Sequence, residues 1–184
     1  MNSQNKNNQK GKIILTGYRA AGKTCVGKEL ARQLDWSFID TDALIVKRAG
    51  GEISKIVRQH GWDYFRAQEK QVLKSLIERT GVVIATGGGA IIHQDIWPEL
   101  MASGLVVWLK ADKETICRRL RGDDNSAAQR PSLTGGTICQ EVARVLKERQ
   151  PLYRRGSHLA VDTASLDIAA AAKIIIAGLN GMRD

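Results

Sequence analysis

The stretch Lys12-Ile13-Ile14-Leu15-Thr16-Gly17-Tyr18-Arg19-Ala20-Ala21-Gly22-Lys23-Thr24 decides how the rest of the chain is read. Its first five residues form a short apolar run with no polar/apolar alternation, the pattern of a strand buried on both faces. The last eight match Gly-x-x-x-x-Gly-Lys-Thr, and a helical pattern follows to Leu34 with Val26, Leu30, Ala31 and Leu34 on one side. A glycine-bearing loop between strand and helix turns backbone N–H groups inward, and the helix N-terminus adds a partial positive charge. The product is a cradle for phosphate, in which Lys23 reaches the β- and γ-phosphates and the Thr24 hydroxyl is offered to Mg²⁺. The residues counted as nucleotide-binding on this basis are Ala20, Ala21, Gly22, Lys23, Thr24 and Cys25.

Outward from the loop the same alternation repeats. Strands are expected at Ser37–Asp40, Gly81–Thr86, Leu105–Leu109 and Leu159–Asp162. Helices are expected at about Ala43–Arg48, Ile53–Gln59, Trp62–Arg79, Ile96–Met101, Lys113–Leu120, Cys139–Arg155 and Ile168–Leu179, with a break near Gly61. Apolar strands alternating with helices imply a parallel α/β sheet covered on both faces. The 184 residues suit one domain spanning 12–184, preceded by an Asn/Gln/Lys-rich leader at 1–11 read as disordered. The polar stretch 121–136 is long for a loop in a compact domain and reads as a mobile lid.

Composition narrows the function. The net charge is +9. Residues 1–12 carry three lysines and no acid, and residues 117–155 carry nine basic against four acidic residues. A surplus placed in one tail and one segment suits a cleft for polyanionic small molecules. The few aromatics are not interleaved with it, which argues against nucleic acid. There is no run of eighteen apolar residues and no signal-peptide h-region, so no membrane partner and a cytoplasmic location are expected. The three cysteines, Cys25, Cys117 and Cys139, lack a C-x-x-C spacing and read as reduced thiols. His60, His93 and His158 form no metal pattern.

Five further motifs lie where ligands bind in open α/β sheets, at or across from the strands' C-terminal ends. Asp40 and Asp42 follow the second strand; one carboxylate suits Mg²⁺ through water, the other the attacking hydroxyl. Phe65-Arg66-Ala67-Gln68-Glu69 pairs an arginine with a glutamate one helical turn on. Gly87-Gly88-Gly89 ends the third strand and admits close approach of backbone to ligand. Arg130-Pro131 sits in the lid. Arg149-Gln150-Pro151-Leu152-Tyr153 offers an arginine suited to a carboxylate.

The set, in this order from about Lys12 to Leu179, resembles shikimate kinase, a nucleoside-monophosphate-kinase-like P-loop family. The resemblance implies a three-layer α/β/α fold with a five-stranded parallel sheet of order 2-3-1-4-5, a substrate-binding helical part at about 43–79 and a lid. It implies transfer of phosphate from MgATP to the 3-hydroxyl of shikimate, in the pathway to chorismate and the aromatic amino acids, by a monomer with one Mg²⁺. By position, Lys23, Asp42 and Arg130 take the catalytic roles, and Asp42, Arg66, Gly87, Gly88, Gly89 and Arg149 hold shikimate. Arg119 and Arg130 join the nucleotide site, Thr24 and Asp40 (through water) the metal, and Glu69 fixes Arg66. Three departures stand out. Ala20 occupies a place where the family commonly has glycine, and a methyl there disfavours positive φ. Gly61-Trp62 replaces Gly-Glu, and the lid reads Arg-Pro-Ser-Leu for Arg-Pro-Leu-Leu. A gluconate kinase, a silent nucleotide-binding domain and a nucleic-acid-dependent ATPase are the alternatives. The first has no need of two arginines facing a ring carboxylate beside a triple glycine. The second should have lost Lys23, Asp42 or a substrate arginine. The third calls for a basic aromatic surface.

Overall fold

Strand β1, Lys12–Thr16, is buried along its whole length and contributes to both of the cores that sandwich the sheet. The computed structural model describes residues 11–122 and 137–182. In chain order the elements are β1, α1 (Lys23–Leu34), β2 (Ser37–Asp40), α2 (Thr41–Ala49), α3 (Ile53–Ser75), β3 (Val82–Ala85), a 3₁₀ turn (Ala90–Ile92), α4 (Trp97–Ala102), β4 (Leu105–Lys110), α5 (Lys113–Arg121), α6 (Ile138–Arg155), β5 (Leu159–Asp162) and α7 (Ile168–Gly181). The strands form one sheet of order β2-β3-β1-β4-β5, and every pairing is parallel. This is the order that the family resemblance implies.

Side chains alternate across a strand, so β1 feeds two cores at once. Ile13 and Leu15 pack with Val26, Leu30, Val83, Val107 and Ile175, on the face covered by α1 and α7. Ile14 packs with Ile84, Phe65, Trp97, Trp108 and Tyr153 on the other face. Burying Ile13, Ile14 and Leu15 contributes roughly 1.5–3 kcal/mol each, which fixes the strand that carries the loop. A third cluster joins Tyr18 of that loop to Ile116 and Leu120 of α5 and Val142 and Val145 of α6.

The break at Gly61 is real: its φ of 81° and ψ of 170° interrupt α3, so that the segments on either side take different directions. A residue with a Cβ adopts that φ only under strain. The boundaries differ from expectation chiefly at the third helix, which ends at Ser75 rather than Arg79. The cysteine reading needs a larger correction. Cys117 of α5 and Cys139 of α6 are joined as a disulfide, with Cα atoms 5.7 Å apart, inside the range a bridge requires. Packing of α5 on α6 brings them together, and a separation of 22 residues gives no local sign of it. Cys25 is free and exposed. No helix among the described residues is long and apolar enough to cross a membrane.

Candidate active site

The loop after β1 is a cradle with strained walls. Gly17 has φ 136°, Gly22 φ 91° and Ala20 φ 59°, so a residue with a side chain holds the left-handed conformation, the strain foreseen at that position. Gly22 caps α1, whose N-terminal N–H groups face the loop. Lys23 is 9% exposed and donates to the carbonyls of Gly17 and Tyr18 at 2.8 and 2.7 Å. The ammonium therefore sits inside the loop, held by neutral acceptors that a phosphate oxygen can outcompete. Arg119 reaches across from α5 and donates to the Ala20 carbonyl at 3.1 Å and to the Thr163 carbonyl. Its place is the outer wall of the loop.

Asp40 ends β2 and does two things. Its Oδ1 accepts from the backbone N–H groups of Asp42 and Ala43, capping α2, while Oδ2 accepts from the Thr24 hydroxyl at 3.0 Å. Two hard oxygens are thus paired at the edge of the phosphate cradle. That donor set fits Mg²⁺, which takes one or two protein oxygens and completes its shell with water and substrate phosphates.

Asp42, Arg66, Gly88, Gly89 and Arg149 line one cleft, with Tyr18, Arg19, Trp62, Phe65, Glu69 and Glu141. Three helices (α2, α3 and α6), the phosphate loop and the loop after β3 converge there. Arg66 NH1 donates to Glu69 Oε2 at 2.6 Å, and Glu69 is 1% exposed. An Arg–Glu pair one turn apart is commonly a surface pair; here it is folded into the core. The guanidinium also lies over the rings of Trp62 and Phe65, 5.3 and 5.4 Å from their centroids. Trp62, the departure from the family's glutamate, is thereby a wall of the cleft. The glycines matter as spaces. A Cβ at Gly87 would meet Glu69 Oε1 and Asp42 Oδ1 at 2.6 and 2.7 Å, and one at Gly89 would meet Arg66 NH1 at 2.2 Å. The carbonyl of Gly88 accepts from Arg149 NH1 at 2.8 Å and from the Tyr153 hydroxyl at 2.6 Å. Arg149 and Tyr153 are four apart on α6 and so share a face. Burial first, against the pull of Arg149, pushes the Tyr153 phenol up to about 12.

Three contributors stand outside the expected site residues, although Arg19 and Tyr153 lie inside quoted motifs. Arg19 forms an ion pair with Glu141 at 2.9 Å, tying the phosphate loop to α6. Tyr153 fixes the Gly88 carbonyl. His93 Nε2 stands 3.0 Å from Glu69 Oε2. Pairings between residues remote in sequence give no signal in a motif search. Arg130 lies outside the described residues.

A second, larger cavity runs over the phosphate loop, past Lys23, Thr24, Asp40 and Arg119. It shares Arg19, Asp42 and Ile53 with the arginine-lined cleft. The anion cradle and the arginine-lined cleft therefore adjoin, with the Asp42 carboxylate in the wall of both.

Known proteins give the family. The family model for shikimate kinase matches residues 19–179. The shikimate kinase of Nitratidesulfovibrio vulgaris is 42% identical over 142 residues, 77% of this chain and 81% of that protein. Among solved structures, the shikimate kinase of Acinetobacter baumannii in complex with shikimate superposes with a TM-score of 0.86 and 34% identity, over 93% of each chain. A gluconokinase from Sinorhizobium meliloti superposes with a TM-score of 0.59 at 18% identity, over 95% of this chain and 94% of that one, and shares the fold alone. The chain belongs to the shikimate kinase family.

Proposed function

We propose a division of labour in these two cavities for the family's reaction, transfer of the γ-phosphate of ATP to the 3-hydroxyl of shikimate to give shikimate 3-phosphate and ADP. The larger cavity takes ATP, with its phosphates on the loop Gly17–Thr24. The smaller cleft takes shikimate, whose carboxylate is gripped by Arg66 and Arg149. The observation that carries this reading is Asp42 lining both cavities. A carboxylate at their junction is placed to accept the proton of the attacking hydroxyl and to orient it.

Phosphoryl transfer asks little covalent chemistry of the protein; positioning and charge stabilisation do most of the work. Lys23 exchanges its carbonyl partners for β- and γ-phosphate oxygens and follows the charge as it develops. Thr24 and Asp40 would hold Mg²⁺, which neutralises phosphate charge when bound. Arg130 is assigned to the γ-phosphate and Arg119 to the nucleotide side of the loop. Arg66 is aimed by Glu69 and its two aromatic neighbours. Arg149 is pinned by the Gly88 carbonyl. Gly87, Gly88 and Gly89 supply a floor without side chains. Glu69 and Glu141 each pair with an arginine, whereas among the described residues the acceptor of Arg149 is a neutral carbonyl. Its positive charge is accordingly available to an anionic acceptor.

The test is Asp42→Asn, measured for turnover and for ATP binding by calorimetry. Loss of a positioned base costs about 10²- to 10⁴-fold in kcat, and ATP affinity should stay near that of the parent. Turnover like that of the parent would remove Asp42 from the chemistry.

A further inference from the structure

His93 ends the 3₁₀ turn that follows the triple glycine, and its side chain is 9% exposed. Its Nε2 lies 3.0 Å from Glu69 Oε2. A carboxylate only accepts, so the imidazole donates and Nε2 carries the hydrogen. The same oxygen accepts from Arg66 at 2.6 Å. The other oxygen, Oε1, is buried with no hydrogen-bond partner among the described residues. A carboxylate almost wholly out of water is thus held by two donors on one oxygen. One belongs to its own helix, the other to the turn after β3, 24 residues away.

We propose that His93 is a positioning residue for acceptor binding: by donating to Glu69 it fixes the carboxylate that aims the Arg66 guanidinium into the cleft. This rests on the assignment of Arg66 to the carboxylate of the acceptor. The geometry explains why two donors are needed. Arg66 alone leaves the Glu69 side chain free to turn about its own axis, carrying the guanidinium with it. The backbone of Gly89, pressed against Arg66, limits that motion on one side, and the rings of Trp62 and Phe65 flank the guanidinium elsewhere. His93 ties the carboxylate to the segment that carries Gly89. Arg66 and the triple glycine are then held in a fixed relation, which an acceptor touching both requires. Without the imidazole, a buried carboxylate keeps a single donor, and groups left short of partners in a dry site reorganise to find others.

The test compares the parent protein with His93→Leu, which removes the donor, and His93→Gln, whose amide N–H₂ retains one. Arg66→Ala is measured beside them, and steady-state constants are taken for both substrates. We expect His93→Leu to raise the KM for shikimate about tenfold, the lower end of the effect of removing a partner that orients a ligand-binding group. Its kcat and its KM for ATP should stay within about twofold, and His93→Gln should return the shikimate KM to near the parent value. An unchanged shikimate KM in His93→Leu, with a raised one in Arg66→Ala, overturns the role of His93 and leaves that of Arg66 standing. An unchanged shikimate KM in Arg66→Ala overturns both. A parallel rise in both KM values, unrescued by glutamine, marks a residue that merely supports the fold and also overturns the proposal. Should His93→Leu fold poorly, His93→Met makes the same comparison with a longer side chain that still lacks a donor.

Discussion

Replacing Gly89 by alanine adds one methyl group where the cleft has no room for it. The Cβ would lie 2.2 Å from Arg66 NH1 and 2.6 Å from both the guanidinium carbon and NH2. Ordinary contact is about 3.5 Å, so the guanidinium must retreat by about 1 Å. The backbone need not move: Gly89 has φ −98° and ψ −8°, which alanine adopts without penalty. The cost therefore falls on the one flexible group in the way. Retreat strains the 2.6 Å bond to Glu69 and withdraws Arg66 from the acceptor. A hydrogen bond to a charged group is worth about 1.5–3 kcal/mol, or roughly 10- to 150-fold in binding. The expected result is a shikimate KM raised by about that factor, with the KM for ATP within about twofold. The melting temperature should move by no more than about 2 °C, since less than about 1 kcal/mol of folding energy is involved. Steady-state ADP release with either substrate varied, beside a thermal melt, measures all three. An unaltered shikimate KM in a well-folded Gly89→Ala protein would refute the placing of Arg66 against the acceptor.

Three other perturbations follow from particular atoms. Ala20→Gly removes the left-handed strain at φ 59°. That strain costs about 1–2 kcal/mol and is offset by about 0.5–1 kcal/mol of added unfolded-state entropy. A melting temperature raised by about 1–3 °C is expected, and a fall would contradict the strain. Tyr153 sets an alkaline limit. Below pH 10 its phenol is protonated folded and unfolded, and the bond to Gly88 contributes fully. Between pH 10 and about 12 the unfolded chain ionises and the native one does not, so stability falls as pH rises. The slope is about 1.4 kcal/mol per pH unit at most, and denaturant midpoints across that window should fall less in Tyr153→Phe. Asp40→Asn keeps an oxygen to cap α2 but removes the charge beside Thr24. It should raise the Mg²⁺ concentration needed for half-maximal turnover, with little change in melting temperature, and an unaltered Mg²⁺ requirement would exclude Asp40 from the metal site.

Much of this site is written in contiguous residues. The phosphate loop is legible because strand, loop and helix adjoin, and the acids at Asp40 and Asp42 because they follow a recognisable strand. The sheet order came with the family resemblance, since apolar runs alone do not say which strands are neighbours. What the sequence hid are pairings between distant elements. Glu69 looks like half of a surface pair until α3 is packed and its carboxylate is 1% exposed. His93 meets it from 24 residues away, Tyr153 meets Gly88 from 65, and Arg19 meets Glu141 from 122. The expectation of three reduced thiols failed for the same reason, because only the packing of α5 on α6 brings Cys117 to Cys139. Ala20 is the converse: a residue unsuited to its place, visible in the sequence as a missing glycine and in the structure as a positive φ.

The central claim is that the arginine-lined cleft beside the phosphate loop selects a ring acid as phosphoryl acceptor. The most direct measurement is coupled ADP release from purified protein with MgATP, run against shikimate and against gluconate at equal concentrations. The account predicts turnover with shikimate exceeding that with gluconate by at least about 10³-fold in kcat/KM, as a site built around polar partners discriminates. Equal turnover with the two acceptors, or none with shikimate, would contradict it.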